Sequence, residues 1–485
     1  MINFRTIYKV LGTLLFMEAS LMVLCACMAF YYAESDMPAF LISVVATVMG
    51  AFILKLAGRN AGNSISRRDS FLLVTLVWVM FSLFGTLPFL ISGYITNFTD
   101  AFFETISGFT TTGASIIDDV ERLPHALLFW RTMTQWIGGL GIVFFTIAIT
   151  PSLVGGSVRV FSAEATGPIR TKMHPRLSTT AKWIWSIYIL LTISCTACYY
   201  IAGMDIFDAF NYAMTTTATG GFSTHNASTG YFHNAYIDYT AIAFMFLSGT
   251  SFTLLYATLI KGRIRLFLQN AEFKLYVTML LIATTAIVIV LIKDDHYGFF
   301  DALRIGLFQV TSFATTTGIF NADAAQWHHI TWVILSICMF LGACSGSTSG
   351  GFKCIRVVIL LNIMKNEIKR ILHPRAVLPV RANERSIPYS SQVTLLAFLA
   401  AYMGLCLFTY FCMILMGVDS TNSITIAISC ASNVGPTLGL EIGPTTSWSI
   451  LPYTVKWLLS FLMLVGRLEI FSVLVIFTRS FWKEN

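Results

Sequence analysis

Four times along this chain, at intervals of about 100 residues, a short turn closed by glycine stands between two apolar stretches. The turns are Thr110-Thr111-Thr112-Gly113, Thr217-Ala218-Thr219-Gly220 and Thr315-Thr316-Thr317-Gly318, with a degenerate fourth at Asn433-Val434-Gly435. Gly113 and Gly220 are 107 residues apart, Gly220 and Gly318 are 98 apart, and Gly318 and Gly435 are 117 apart. One such turn is merely a helix end. Four at near-even spacing, each flanked by spans, place one turn in each of four repeated units. Brought to one axis, they would present rings of backbone oxygens, which is how a membrane pore replaces the hydration shell of a cation.

The apolar stretches are long enough to cross a membrane. The chain is 56% hydrophobic and 11% charged with a mean hydropathy of +0.73, whereas an ordinary soluble domain carries roughly 25% charge. A bilayer core of ~30 Å needs roughly 20 apolar residues per helix. Ten stretches qualify, at about 6–30, 38–57, 70–93, 124–149, 182–203, 235–260, 274–293, 330–364, 392–417 and 450–478. The first lacks a small-residue cleavage site and reads as a retained span rather than a signal peptide. Nothing remains for a sizeable soluble domain, so any nucleotide-binding or catalytic part must come from another chain.

Charge orients the spans. Of 31 lysines and arginines, 25 fall in the two termini, the 55–68 turn and the loops between repeats. Cytoplasmic loops carry the Lys/Arg excess, so both termini and the inter-repeat loops are expected inside, with the glycine turns toward the outside. The outer face then carries Glu34, Asp36, Asp118, Asp119, Glu121, Asp294, Asp295 and Glu441. An acidic mouth concentrates cations, although each residue taken singly reads as an ordinary solvated loop charge. The net charge of +7 is accounted for by topology and implies no nucleic acid.

Before each turn lies a segment too short to span, at about 100–110, 208–216, 301–314 and 421–431. Three open alike, with Asp100-Ala101-Phe102, Asp208-Ala209-Phe210 and Asp301-Ala302-Leu303. An aspartate there is expected to cap a half-helix and suit its positive dipole end. The opposite, carbonyl end would aim inward and attract a cation. Non-helical backbone at membrane depth is tolerated only where it is buried in protein or lines a water-filled cavity.

The stretch 330–364 is too long for one span, since 35 residues would run ~52 Å as a helix. Its middle, 342–352, is rich in glycine and serine, poor helix material. Two half-helices joined by an intramembrane loop are expected, with the loop beneath the third turn and able to obstruct a conduit. Gly346-x4-Gly351-Phe352-Lys353 is a near miss to a phosphate-binding loop. Its lysine is one place late and Cys354 stands where a hydroxyl is needed, so it is rejected. Arg467, set within the last apolar stretch, is costly at that depth and is expected to face a bundle interior or a water path, pairing with carbonyls of the loop. Two residues apart on a helix, Arg467 and Glu469 do not face each other. Arg131 reads as a brace for the filter. Glu104 and Glu469 are the few intramembrane acids that could serve proton coupling. The ten cysteines fall mostly in apolar stretches and the eight histidines show no metalloprotease spacing, so neither a metal site nor a catalytic constellation is evident.

At this point the chain resembles the TrkH members of a superfamily of K+ transporters that also includes TrkG, KtrB and the plant HKT proteins. The residues that carry the resemblance are Phe109 to Ala114, Thr219-Gly220-Gly221-Phe222-Ser223-Thr224-His225, Ala314 to Gly318, Asn433-Val434-Gly435-Pro436, the Gly346–Gly351 loop and Gly466-Arg467-Leu468-Glu469-Ile470-Phe471. Cys344, Phe352 and Pro436 depart from the family pattern. The resemblance implies an all-α integral membrane protein with four span–pore-helix–span repeats in pseudo-fourfold array around one pore. Two extra N-terminal helices would occupy 1–62, with repeats at 63–160, 161–268, 269–385 and 386–485. Their filter turns would be 110–114, 217–221, 315–319 and 432–436, and the gating loop 342–352. It further implies K+ uptake across a bacterial inner membrane, a homodimer, and cytosolic TrkA-like nucleotide-binding subunits on the basic loops. K+ is then cargo, and no organic cofactor is expected in this chain. K+ would bind backbone carbonyls at Thr111, Thr112, Gly113, Ala218, Thr219, Gly220, Thr316, Thr317, Gly318, Asn433, Val434 and Gly435. Gly346, Ser347, Thr348, Ser349, Gly350, Gly351 and Arg467 would form the gate. The alternative is an H+- or Na+-coupled secondary cation transporter, which also places broken helices near the midplane.

Overall fold

Helix boundaries follow from where the apolar pattern meets a cap, as in the computed structural model, which describes residues 2–62, 65–141, 177–383, 385–439 and 441–483. The expected span end at 142–149, the repeat boundaries at 62/63 and 160/161, and Arg159, Arg170, Lys172 and Arg176 of the basic loop lie outside or at the edge of these residues. The third helix shows the capping logic. Ser66 accepts from the Asp69 amide at 3.1 Å and Asp69 accepts from the Ser66 amide at 2.8 Å, a reciprocal capping box that satisfies two orphan donors. Among the described residues six helices are long and apolar enough to cross a membrane, or up to eight if each bent pair is one span. The only strands there are a two-residue hairpin, Arg381–Ala382 against Arg385–Ser386.

The fold is an all-α membrane protein of four span–pore-helix–span repeats around one axis, preceded by two packed helices, Phe4–Tyr31 and Met37–Ala57. The pore helices are Phe98–Phe109, Ile206–Ala218, Phe299–Ala314 and Ser420–Ser432. At 12 to 16 residues they measure about 18–24 Å, too short to cross. Their caps differ from expectation. Asn97, Asp205 and Asp419 cap the first, second and fourth with side-chain oxygens, and the third starts at Gly298 without a side-chain cap. Asp100, Asp208 and Asp301 sit inside the first turn, where the dipole still favours them. Their carboxylates are thereby free for other partners: Lys456 at 2.7 Å, Thr224 and His225, and Arg304 at 2.9 Å respectively.

Among the described residues three spans are broken where one break was expected. The helix from His329 stops at Leu341 and the chain resumes as Cys354–Leu372. Ala235–Ser248 and Phe252–Leu259 meet at 101°, and Tyr453–Arg467 and Ile470–Phe477 meet at 115°. The second break falls at Gly249-Thr250-Ser251, and the third at Leu468-Glu469, where Glu469 takes φ +59°. Neither is a run of breakers, so hydropathy passes over both. Arg467 consequently ends a helix rather than lying in the middle of one.

Candidate cation filter and the loop beneath it

Each pore helix ends in the same backbone motif. Thr112 N–H reaches back to Ser107 O at 2.9 Å while Thr111 N–H bonds Gly108 O at 2.9 Å. Gly220 to Thr215 and Thr219 to Thr216 repeat it, as do Thr317 to Ser312 with Thr316 to Phe313, and Val434 to Ser429 with Asn433 to Cys430. These are Schellman-type ends, which need one left-handed residue. That residue is Thr111, Thr219, Thr316 or Asn433, at φ 55–57°. A β-branched residue is a genuine outlier there, at a cost of order 1–3 kcal/mol each. The strain is repeated three times with threonine. Backbone conformation recurs in the following glycines, Gly113, Gly221, Gly318 and Gly435, all at φ between 79° and 96°.

This equivalence corrects the register in the second repeat. The sequence pairs Gly220 with Gly113, but the structure pairs Gly221 with it, and the strained trio is Thr219-Gly220-Gly221 rather than Ala218-Thr219-Gly220. Ala218 is the last residue of its helix. The double glycine at 220–221 makes either register read well in sequence; only the positive φ separates them.

The four turns close on one another. A Cβ on Gly113 would strike the Gly220 carbonyl, one on Gly221 would lie 2.6 Å from Thr317 O, one on Gly318 would strike Val434 O, and one on Gly435 would strike Thr112 O. First meets second, second third, third fourth and fourth first. All four glycines line a single cavity on the side facing the connecting loops. The surrounding threonines are fully buried. Gly221→Ala is expected to disrupt this ring, because it forces a left-handed alanine against backbone. Gly220→Ala needs no left-handed alanine and meets the Gln135 side chain at 2.5 Å, so it disturbs the Gln135 hydrogen bonds to Gly220 O and Phe222 N–H rather than the backbone of a neighbouring turn. Comparative cation flux of the two variants checks this: a larger loss for Gly220→Ala would restore the sequence register.

Buried polar side chains hold the limb leaving each turn. Glu104 accepts from Ile116 N–H at 2.9 Å and Ser115 Oγ at 3.0 Å. Gln135 donates to Gly220 O at 2.6 Å and accepts from Phe222 N–H at 3.1 Å. Ser312 donates to Ile319 O, and Ser429 to Pro436 O at 3.1 Å. Arg131 acts as the expected brace: it pairs with Glu104 at 2.9 Å, donates to Ser223 O at 3.1 Å and lies over the Phe222 ring at 4.2 Å. Both side chains of the pair are at most 2% exposed, and removing either partner of such a buried pair typically costs about 3–5 kcal/mol. Glu104 is therefore structural in its contacts, and Glu469 pairs with Arg356 at 2.6 Å.

The 342–353 segment crosses directly under the ring. Gly350 N–H donates to Thr316 Oγ1 at 2.6 Å, Gly351 N–H to Ser432 O at 3.0 Å, and Thr348 Oγ1 to Thr217 O at 3.1 Å. The segment thus bonds to the carbonyl ends of the second and fourth pore helices and to the third turn. Arg467 completes the crossing, donating to Thr348 O at 2.9 Å and to Gly138 O and Gly139 O of the first repeat at 2.5 and 2.6 Å. Ser347 Oγ lies 2.8 Å from Ser349 Oγ, and Gly346 O accepts from Phe252 N–H at 2.9 Å. Sequence reading missed three supports. Glu272 accepts from both ends of the segment, Ser345 N–H and, at 3.2 Å, Ile355 N–H. Lys353 Nζ donates to Ser349 O, and Arg356 reaches Phe352 O at 3.0 Å. Two cations beside a glycine-rich break, Lys353 and Arg356, were the available signal; both read as loop charges, and only Lys353 entered the phosphate-loop comparison.

On the same side of the ring as the cavity, His225 joins two repeats. It lies 3.0 Å from Asp208 and 3.4 Å from Glu121 and stacks on Tyr231 at 3.6 Å. Burial opposes its charge, but the hydrogen bonds and charges of Asp208 and Glu121 outweigh that and raise its pKa. A raised folded value means the stabilisation is complete below the unfolded pKa of about 6.5 and is lost as pH rises through the folded one. The melting temperature of purified protein should therefore fall as pH is raised above ~6.5, and His225→Gln should flatten that slope.

Apolar spans, four re-entrant helices and one closed ring of turns define an integral membrane protein built around a pore. The profile of the TrkH family, described as cation transport protein, matches residues 37–484. The chain belongs to that family. It is 37% identical to the Trk system potassium uptake protein TrkH of Halomonas elongata over 486 residues, covering 99% of this chain and 100% of that one. It is 35% identical to TrkH of Escherichia coli over 99% of this chain and 100% of the relative. The crystal structure of the potassium transporter TrkH from Vibrio parahaemolyticus superposes with a TM-score of 0.90 at 33% identity, over 99% of this chain and 100% of that one. The family is one of transporters rather than enzymes.

Proposed function

We propose that this protein takes up K+ through the ring of four turns and that the segment beneath is its gate. The observation that carries the reading is the cyclic closure of the turns, each glycine against a carbonyl of the next. K+ would be held by carbonyls of Thr111, Thr112, Gly113, Thr219, Gly220, Gly221, Thr316, Thr317, Gly318, Asn433, Val434 and Gly435, with Gly220 O already steadied by Gln135. Relatives named for potassium uptake support the choice of cation. Each turn has one glycine at the ring position, so fewer ordered carbonyl layers are expected than in a filter with two, and looser K+/Na+ discrimination.

The gate consists of Gly346, Ser347, Thr348, Ser349, Gly350, Gly351 and Arg467. The positive loops favour both termini inside, in a bacterial inner membrane, with TrkA-like nucleotide-binding subunits docked there and two copies of this chain together. The repeats would run 63–160, 161–268, 269–385 and 386–485. The test is K+ flux into proteoliposomes holding this chain alone.

One observation favours the H+-coupled alternative. Both carboxylate oxygens of Glu18, in the first span, are buried with no hydrogen-bond partner among the described residues. Glu18→Gln distinguishes the two readings: a coupled transporter loses pH-driven flux, while a passive conduit keeps its flux.

A further inference from the structure

The cavity above the turns holds little charge, and its balance can be read group by group. Its lining includes one acid, Asp118, and one base, Arg131, among the described residues. Arg131 is neutralised by Glu104 at 2.9 Å. Of the other acids nearby, Asp119 pairs with Arg122 at 2.8 Å and Asp100 with Lys456 at 2.7 Å, while Glu121 and Asp208 share the single cation His225; none of these four lines the cavity. Asp118 is different. Its partners are the hydroxyls of Ser447 and Ser449, the latter at 2.7 Å. Both bond the same oxygen, Oδ1, and both come from the outer loop of the fourth repeat. They fix the carboxylate at the rim without cancelling its charge.

We propose that Asp118, the cavity-lining carboxylate with no ion pair of its own among the described residues, raises the local concentration of monovalent cations and so sets how fast they reach the ring. The inference rests on the K+ conduit reading above. The Ser447 hydroxyl, then that of Ser449, and to a smaller extent the nearby Lys456 charge, hold the Asp118 carboxyl below the usual carboxylate range, so it remains charged at neutral pH. A charge at the mouth raises the concentration of counter-ions there, and the effect weakens with salt. The screening length falls from ~30 Å at 0.01 M to ~3 Å at 1 M. Asp118 therefore governs flux at low ionic strength and not at high.

The experiment measures K+ flux in proteoliposomes with the full chain, as wild type and with Asp118→Asn, at fixed K+ while an impermeant organic salt raises ionic strength. Each is repeated in the Arg467→Ala background so that a closed gate does not hide the effect. Asn preserves the oxygen that the serines bond. At low ionic strength Asp118→Asn should lower flux roughly two- to five-fold, the effect expected of one charge acting through water over several ångströms. At high ionic strength the two should converge. Asp294→Asn, an outer acid away from the cavity, should match wild type throughout. Equal flux for Asp118→Asn at every ionic strength overturns the inference, and so does an equal fractional loss at every ionic strength, which indicates structural damage. Absence of K+ flux in wild type and in Arg467→Ala alike removes the conduit reading itself.

Discussion

Replacing Arg467 with alanine should raise basal K+ flux at least about tenfold. Its guanidinium ties Thr348 O of the crossing segment to Gly138 O and Gly139 O of the opposite repeat. Hydrogen bonds to a charged group contribute about 1.5–3 kcal/mol each, and a tenfold shift between closed and open populations needs only ~1.4 kcal/mol. Losing the bridge leaves the segment held by Gly350 on the third turn and by Gly351 and Thr348 on the fourth and second pore helices, so closure weakens without unfolding. Arg467→Lys should give an intermediate flux, because an ammonium is a compact point charge without the guanidinium fork. Deleting Gly346–Gly351 should also raise flux. The measurement is isotope or fluorescence flux in proteoliposomes, and unchanged flux in a folded Arg467→Ala protein counts against a gate.

Gly113→Ser should damage selectivity more than any outer-loop change. At φ +83° a serine adopts a left-handed conformation at a cost of order 1–3 kcal/mol. Its Cβ also strikes the Gly220 carbonyl. That carbonyl belongs to the neighbouring repeat and is pinned by Gln135, so the ring must open rather than one residue shift. A change of ~1.4 kcal/mol in differential cation binding is tenfold, and the K+/Na+ flux ratio should fall by about that factor. A retained ratio with normal flux would mean that Gly113 does not face the ions.

The sequence was most legible where physics leaves one solution. Ten apolar stretches led to the helical membrane class, and glycines at even intervals led to the repeat. It was less legible where local chemistry is ambiguous. Gly220 and Gly221 are both acceptable turn residues, and a one-residue shift in register changes no composition. Asp100, Asp208 and Asp301 look like caps because aspartate suits both the cap and the first turn; which it occupies depends on partners from distant repeats, such as Lys456. Breaks at Leu468-Glu469 and at Gly249-Thr250-Ser251 lack the glycine run that marks 342–352. Pairings such as Arg131 with Glu104 and Arg356 with Glu469 join residues 27 and 113 positions apart and leave no local pattern.

Passive cation flux into proteoliposomes holding this chain alone tests the conduit most directly, compared for K+, Rb+, Na+ and Li+ without a pH gradient. Arg467→Ala is included so that a closed gate does not mask conduction. The ring of four turns predicts K+ and Rb+ flux above that of Na+ and Li+, with the preference relaxed by Gly113→Ser. Flux only in the presence of a pH gradient, or equal flux of all four ions, would contradict a carbonyl-lined filter and direct attention to Glu18.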